Sequence, residues 1–196
     1  MTSPIRIWVV ALALSASLGL AACETPVQTQ ILPGLTFAHL APIKLDVAKI
    51  DVVVRYQPPL RAPNVEHLFP TPPAKALKQW VKDRLRAVGG SGVARLVIIN
   101  ASAVETPLAQ KKGFTATFTK QQSQRYDATV EARLEISSSL GRGTTSAHAK
   151  RFTTVREDIT INKRERIWFD LTEALARDFD AAMEKNMRQH FGRWIR

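Results

Sequence analysis

The sequence predicts an α+β fold: two helices packed on one face of a mixed or antiparallel four- to five-stranded sheet, behind an N-terminal signal peptide. Three observations carry this reading. Residues 126–136 alternate apolar and polar without a break, as a strand with one dry and one wet face does. Residues 74–88 and 164–194 instead repeat apolar side chains every three or four positions, the period of an amphipathic helix. The order is strand, helix, strand, an ambiguous hairpin or loop, strand, strand, helix. A sheet with both helices on one side meets that order most simply.

The chain opens with Arg6 and an apolar run, Ile7 to Leu20, that fits the n- and h-regions of a signal peptide. The run falls short of the roughly 20 apolar residues a spanning helix needs. Leu20-Ala21-Ala22-Cys23 follows, and Cys23 is the only cysteine of the chain. The small Ala21 and Ala22 leave the bond before Cys23 accessible to a peptidase. This arrangement resembles the lipobox of bacterial lipoproteins. The resemblance implies that residues 1–22 are removed and that Cys23 carries a covalent lipid, with no other cofactor. Glu24 follows the cysteine where such signals use aspartate for inner-membrane retention. That implies the periplasmic face of the outer membrane, the inner membrane being the alternative. The expected organisation is a signal peptide over 1–22, a lipid-attached tether over 23–42 and a single periplasmic domain over 43–196.

The mature chain of about 174 residues is one domain's worth and long enough to bury a sizeable core. Without paired cysteines, stability must come from that core alone. The net charge of +11, from 28 Lys and Arg against 17 Asp and Glu, asks for an anionic counterpart. In a periplasmic setting nucleic acid is not the expected partner. Anionic lipid headgroups or an acidic envelope protein are, with a merely solvated basic surface as the plain alternative.

Each element has its own signature. Residues 24–42 hold Pro26, Pro33, Gly34 and Pro42 and show no period, as a tether does. Ile43, Leu45 and Val47 alternate with Lys44, Asp46 and Ala48, but the apolar phase then shifts to Ile50, Val52, Val54 and Tyr56. A one-residue slip reverses every later side chain, so a bulged long strand or two short strands are expected. After a Pro-rich loop, Thr71 caps a helix that Pro72 and Pro73 begin and Gly89-Gly90 end. Leu77, Trp80, Val81, Leu85 and Val88 form its apolar stripe, while Lys75, Lys78, Lys82 and Arg86 take the outer side. The unbroken apolar run Leu96-Val97-Ile98-Ile99 suits a strand covered on both faces. Residues 106–125 read as a protruding hairpin or loop around Phe114 and Phe118. In the strand at 126–136, Tyr126 to Ile136 (even positions) are dry, and a turn over 137–144 leads back along Thr145, Ala147 and Ala149. The pairing sets Glu131 near Lys150, and a phase change before Phe152 predicts a bulge. Last, Asn162 with Glu165 fits a capping box opening a helix that reaches Trp194, about 48 Å long.

No catalytic pattern emerges. His39, His67, His148 and His190 lie on different elements without metal-ligand spacing. Gly89-Gly90-Ser91-Gly92 follows a helix and precedes a strand, the reverse of a phosphate-cradling loop. Asp178 and Asp180 stand two apart on a helix and point to different faces, so ion pairs suit them better than shared acid–base work. Trp80 and Trp168 fall on core stripes. Phe69, Phe114 and Phe118 on loops, and Trp194 among the terminal arginines, are candidate contacts to a lipid or partner. The candidate binding set is therefore Phe114, Phe118, Lys78, Lys82, Arg193 and Trp194, with Cys23 for lipidation and no metal.

The signal, Cys23 and the two helices in this element order resemble the auxiliary lipoproteins of Gram-negative phospholipid transport and of lipopolysaccharide assembly. The resemblance implies a non-enzymatic, membrane-anchored accessory subunit that binds an envelope protein or anionic lipid. A periplasmic hydrolase with an unrecognised site and a structural cell-wall lipoprotein are the alternatives.

Overall fold

The computed structural model describes residues 31–109 and 121–196. The signal peptide, Cys23, Phe114 and Phe118 lie outside the described residues. The elements are β1 (Ile43–Leu45), β2 (Lys49–Val54), a 3-10 turn (Glu66–Leu68), α1 (Pro73–Arg84), β3 (Leu85–Ala87), β4 (Val93–Pro107), β5 (Gln122–Ser138), β6 (Gly141–Arg156) and α2 (Ile161–His190). Four strands form a mixed sheet in the order β2-β4-β5-β6, with β2 parallel to β4 and the other pairs antiparallel. β1 and β3 form a second, parallel two-stranded sheet. Both helices pack on the same face of the large sheet, and the fold is α+β.

The phase change after Ala48 is resolved as two strands in two sheets. Ile43, Leu45 and Val47 are buried beside β3, and the chain then crosses to the edge of the large sheet as β2. The crossing is tight. A Cβ on Gly89 would lie 2.6 Å from the Val47 nitrogen, so the position requires glycine for close approach rather than as a helix cap.

α1 accordingly ends at Arg84, four residues before the expected Val88. The Leu85 N–H still bonds the Val81 carbonyl, after which Leu85–Ala87 straightens to pair with β1. Strand pairing outweighs the helical period here, and Val88 is left exposed. At the other end Pro72, not Thr71, holds the cap position, with no side-chain cap bond.

β4 lies inside the sheet and buries Leu96, Val97 and Ile98 on both faces. A register shift between Ile98 and Asn100 absorbs Ile99. The β5–β6 turn is tighter than expected: only Ser139 and Leu140 separate the paired Ser138 and Gly141, whose φ of +111° favours glycine. That turn sets Glu131 opposite His148 and Lys150 opposite Thr129, so Lys150 is Glu131's diagonal neighbour, two residues from a directly opposed pair. No bulge interrupts residues 150–152. The register continues, and the sequence departs from alternation because two side chains find partners on opposite faces. Arg151 reaches over the dry face to Asp178, while Phe152 lies on the open face with the Arg125 guanidinium 3.8 Å from its ring centroid.

α2 begins two residues earlier than the capping-box spacing predicts. Thr160 is the N-cap, its Oγ1 accepting from the Lys163 N–H at 3.4 Å. Its 30 residues span about 45 Å. The end at His190 is a correction to a helix running through Trp194. Residues 191–196 turn back onto β1, where the Asp46 N–H donates to the Trp194 carbonyl at 2.7 Å and Ile195 pairs with Leu45. Between helices and sheet, Trp80 meets Phe179 edge-on, and Trp168 stacks on Phe69 with centroids 4.9 Å apart. Phe69 is thus core rather than a loop contact. Phe37, within the stretch read as tether, is also buried in the core.

Candidate anion-binding surfaces

Among the described residues, one face of the four-stranded sheet carries no helix. Register puts Asp51, Arg95, Glu135 and Thr144 in one row across that face, and Val53, Val97, Arg133 and Ser146 in the next. Arginine and carboxylate alternate along β5 itself: Arg125 binds Asp127 through two bonds of 2.7 and 2.9 Å, and Arg133 binds Glu135 at 2.9 Å. Residues two apart on a strand share a face, which lets each arginine reach its carboxylate. The hydrogen bond from Arg125 holds the Asp127 carboxyl below the usual carboxylate range, against a smaller opposing effect of burial.

Toward the β5–β6 turn the same face opens into a groove of about 610 Å³, lined by Arg95, Arg133, Arg142, Glu135 and apolar Val93 and Ile136 among others. Within the groove's lining three guanidinium groups thus meet one carboxylate, which Arg133 already occupies, while Asp51, beside Arg95 in the same row, pairs with Lys49. Arg95 and Arg142 are exposed, and among the described residues neither has an ion pair. Planar guanidinium donors of this kind suit phosphate or carboxylate oxygens. Arg193 does not line the groove; it donates to the Leu140 carbonyl of the turn at 3.2 Å, with its guanidinium 5.1 Å from the Trp194 ring centroid.

Trp194 does not line the groove either. It is 2% exposed, packs edge-on to Phe191 and donates its indole N–H to Ser138 Oγ at 2.9 Å. Gly143 lies directly under the ring, where a Cβ would come within 2.7 Å of it. The expected lipid or partner contact is instead a plug in the core, because the chain reverses after His190 and carries the ring inward.

Lys75, Lys78 and Lys82 are exposed on α1, as the helical period predicts, and Arg86 is exposed just beyond it on β3. This stripe points away from the sheet, so it and the arginine groove occupy opposite sides of the sandwich. Within the stripe Asp83 serves a structural purpose. It accepts from the Phe37 N–H at 2.8 Å, Thr36 Oγ1 at 3.0 Å and Gln79 at 2.9 Å. Burial acts to raise its pKa, but these bonds together with Arg86 outweigh it and leave the carboxyl more acidic than usual.

Arginines engage most carboxylates of α2, some one turn away on the helix itself, as in Arg166–Asp170, Arg177–Glu173 and Arg188–Glu184, and others from other elements. Asp180 is buried and accepts from Trp80 Nε1 and Arg84 Nε, both at 2.7 Å. Glu184 binds Arg84 and Arg188, and Asp178 binds Arg151. Away from α2, Glu66 is buried and accepts from Tyr56 Oη at 2.7 Å and the Ala103 N–H at 3.0 Å. Burial first, and then Glu66, push the Tyr56 hydroxyl well above its ordinary pKa. Among the described residues no group of three or more His, Cys, Asp or Glu is placed to hold a metal ion.

The arginine groove is the feature that sequence reasoning missed. Arg133 was visible as a wet-face residue, but Arg95 and Arg142 join it only through the pairing of β4, β5 and β6.

No protein-family model and no curated protein matches the chain. Among solved structures it is similar to rare lipoprotein B from Shewanella oneidensis, at 7% identity over 70% of this chain and 92% of that one, with a TM-score of 0.34. It is also similar to a minor lipoprotein from Acinetobacter baumannii, at 13% identity over 74% of this chain and 91% of that one, with a TM-score of 0.32.

Proposed function

We propose that the chain is a bacterial envelope lipoprotein, anchored through lipid on Cys23 to the periplasmic face of the outer membrane. In this reading its domain is a non-enzymatic accessory subunit of outer-membrane assembly or lipid transport that binds anionic lipid. The observation that carries the binding reading is the groove in which Arg95, Arg133 and Arg142 face a single, already paired Glu135. The opposite stripe of Lys75, Lys78, Lys82 and Arg86 gives the domain a second positive surface. The buried carboxylates Asp180 and Glu66 favour binding over catalysis, since both are committed to structural partners.

Two measurements test this. Intact mass of the native product should show a chain that begins at Cys23 and carries diacylglycerol; retention of residues 1–22 overturns the anchoring. Flotation with phosphatidylglycerol-containing vesicles, against pure phosphatidylcholine, should show binding that weakens with salt. Reversal of Arg95 and Arg142 to Glu should weaken it by about tenfold or more, at roughly 1 kcal/mol for each basic residue. Equal binding by the reversed variant sinks the groove's role.

A further inference from the structure

The two edges of the large sheet are not alike. At the β6 edge α2 lies alongside: Asn186 Nδ2 donates to the Ser146 carbonyl at 2.8 Å, and Arg151 is tied to Asp178. At the other edge, among the described residues, β2 pairs only with β4, and Val52, Val53 and Val54 are 36%, 38% and 37% exposed. Three consecutive β-branched side chains on an open edge are what a sheet ordinarily avoids, because the unpaired backbone groups there can template another strand.

The direction of those groups is fixed. The Arg55 N–H bonds the Ile98 carbonyl, so the odd-numbered residues of β2 turn their backbone toward β4. Ile50, Val52 and Val54 therefore point N–H and C=O outward. An antiparallel copy of β2 can accept them only in registers that place even residues opposite even residues. Charge selects among these. A twofold axis through Val52 sets Lys49 against Arg55 of the second copy, two like charges face to face. An axis through Val53 instead sets Asp51 against Arg55 at both ends, on the same face, with Val52 against Val54 between them. Among the described residues Asp51 holds its neighbour Lys49, at 3.1 Å, as its one ion pair. Arg55 is exposed and has no ion pair among the described residues. The patch is thus complementary to itself, as an isologous interface must be.

We propose that the β2 edge is a self-association surface. Two copies of this chain pair their β2 strands antiparallel about Val53 to give a continuous eight-stranded sheet. The helices of both copies then lie on one face and both arginine grooves on the other, so dimerisation doubles the positive open face without covering it. The inference stands on β2 alone and does not require the lipid-binding reading.

Cysteine crosslinking of the purified full chain in detergent tests it, with copper phenanthroline as oxidant and the parent chain, bearing only Cys23, as background. Val53→Cys is expected to give a dimer. The two Val53 Cα atoms would form a non-hydrogen-bonded pair about 4.5 Å apart, within disulfide range. Val52→Cys is expected to give none above background, since its partner is Val54. Added to Val53→Cys, Asp51→Arg or Arg55→Asp should each cut the crosslink severalfold, and the two together should restore it. Circular dichroism of each variant confirms the fold at these exposed positions. Absence of the Val53 crosslink in a folded variant, equal crosslinking at Val52, or failure of the double reversal to restore it overturns the proposal.

Discussion

Arg84 is 2% exposed, yet it carries a full charge between the two helices. Its guanidinium binds Asp180, Glu184 and the Ala41 carbonyl, and Asp180 also takes the Trp80 indole proton. Removing one member leaves a buried charge without its counterpart, so Arg84→Met should destabilise the fold by about 3–5 kcal/mol, read from urea unfolding. More exposed pairs behave differently. Asp178 has a carboxyl held below the ordinary range by its hydrogen bonds to Arg151, the burial effect opposing. A lowered folded-state pKa gives stability that is present above the unfolded value of about 3.9 and lost as pH falls through the folded one. Stability measured from pH 7 downward should therefore decline below about pH 4. Asp178→Asn should flatten that decline only slightly, because solvent screens the pair.

At the scale of elements, the ends of the helices depend on what they meet. The C-terminal turn holds Trp194 over Gly143, so Gly143→Ala forces a Cβ into the indole and should cost about 1–3 kcal/mol in thermal or urea unfolding. Trp194→Ala should cost about 3–5 kcal/mol. A side chain at a frayed terminus would give almost nothing, so this variant separates a core plug from a surface contact. The Thr160 cap is exposed and its bond is long, at 3.4 Å. Thr160→Ala should accordingly fall at the low end of cap losses, near 0.5 kcal/mol.

At the scale of the molecule, the layers separate two positive surfaces. The lysine stripe of α1 and the arginine groove face opposite ways, so a planar anionic surface engages one at a time. Reversal of Lys78 and Lys82 to Glu should therefore leave vesicle binding nearly intact if the groove is the contact, whereas reversal of Arg95 and Arg142 should not. Equal losses from both pairs would show that net charge alone drives association.

The sequence alone determined what depends on neighbours along the chain. Strict alternation marked β5, the 3.6-residue period marked both helices and the outward Lys78 and Lys82, and the parity slip after Ala48 marked a break that became two strands. These signals are local, since a side chain's face follows from its position in the chain. Tertiary structure decided what depends on partners distant in sequence. It cut α1 short to pair β3 with β1, folded Trp194 and Phe69 inward, and gathered Arg95, Arg133 and Arg142 across three strands. None of those outcomes has a local cause. Each follows from register, or from burial against an element dozens of residues away, where strand pairing and the removal of a large ring from water outweigh the preferences of a short segment.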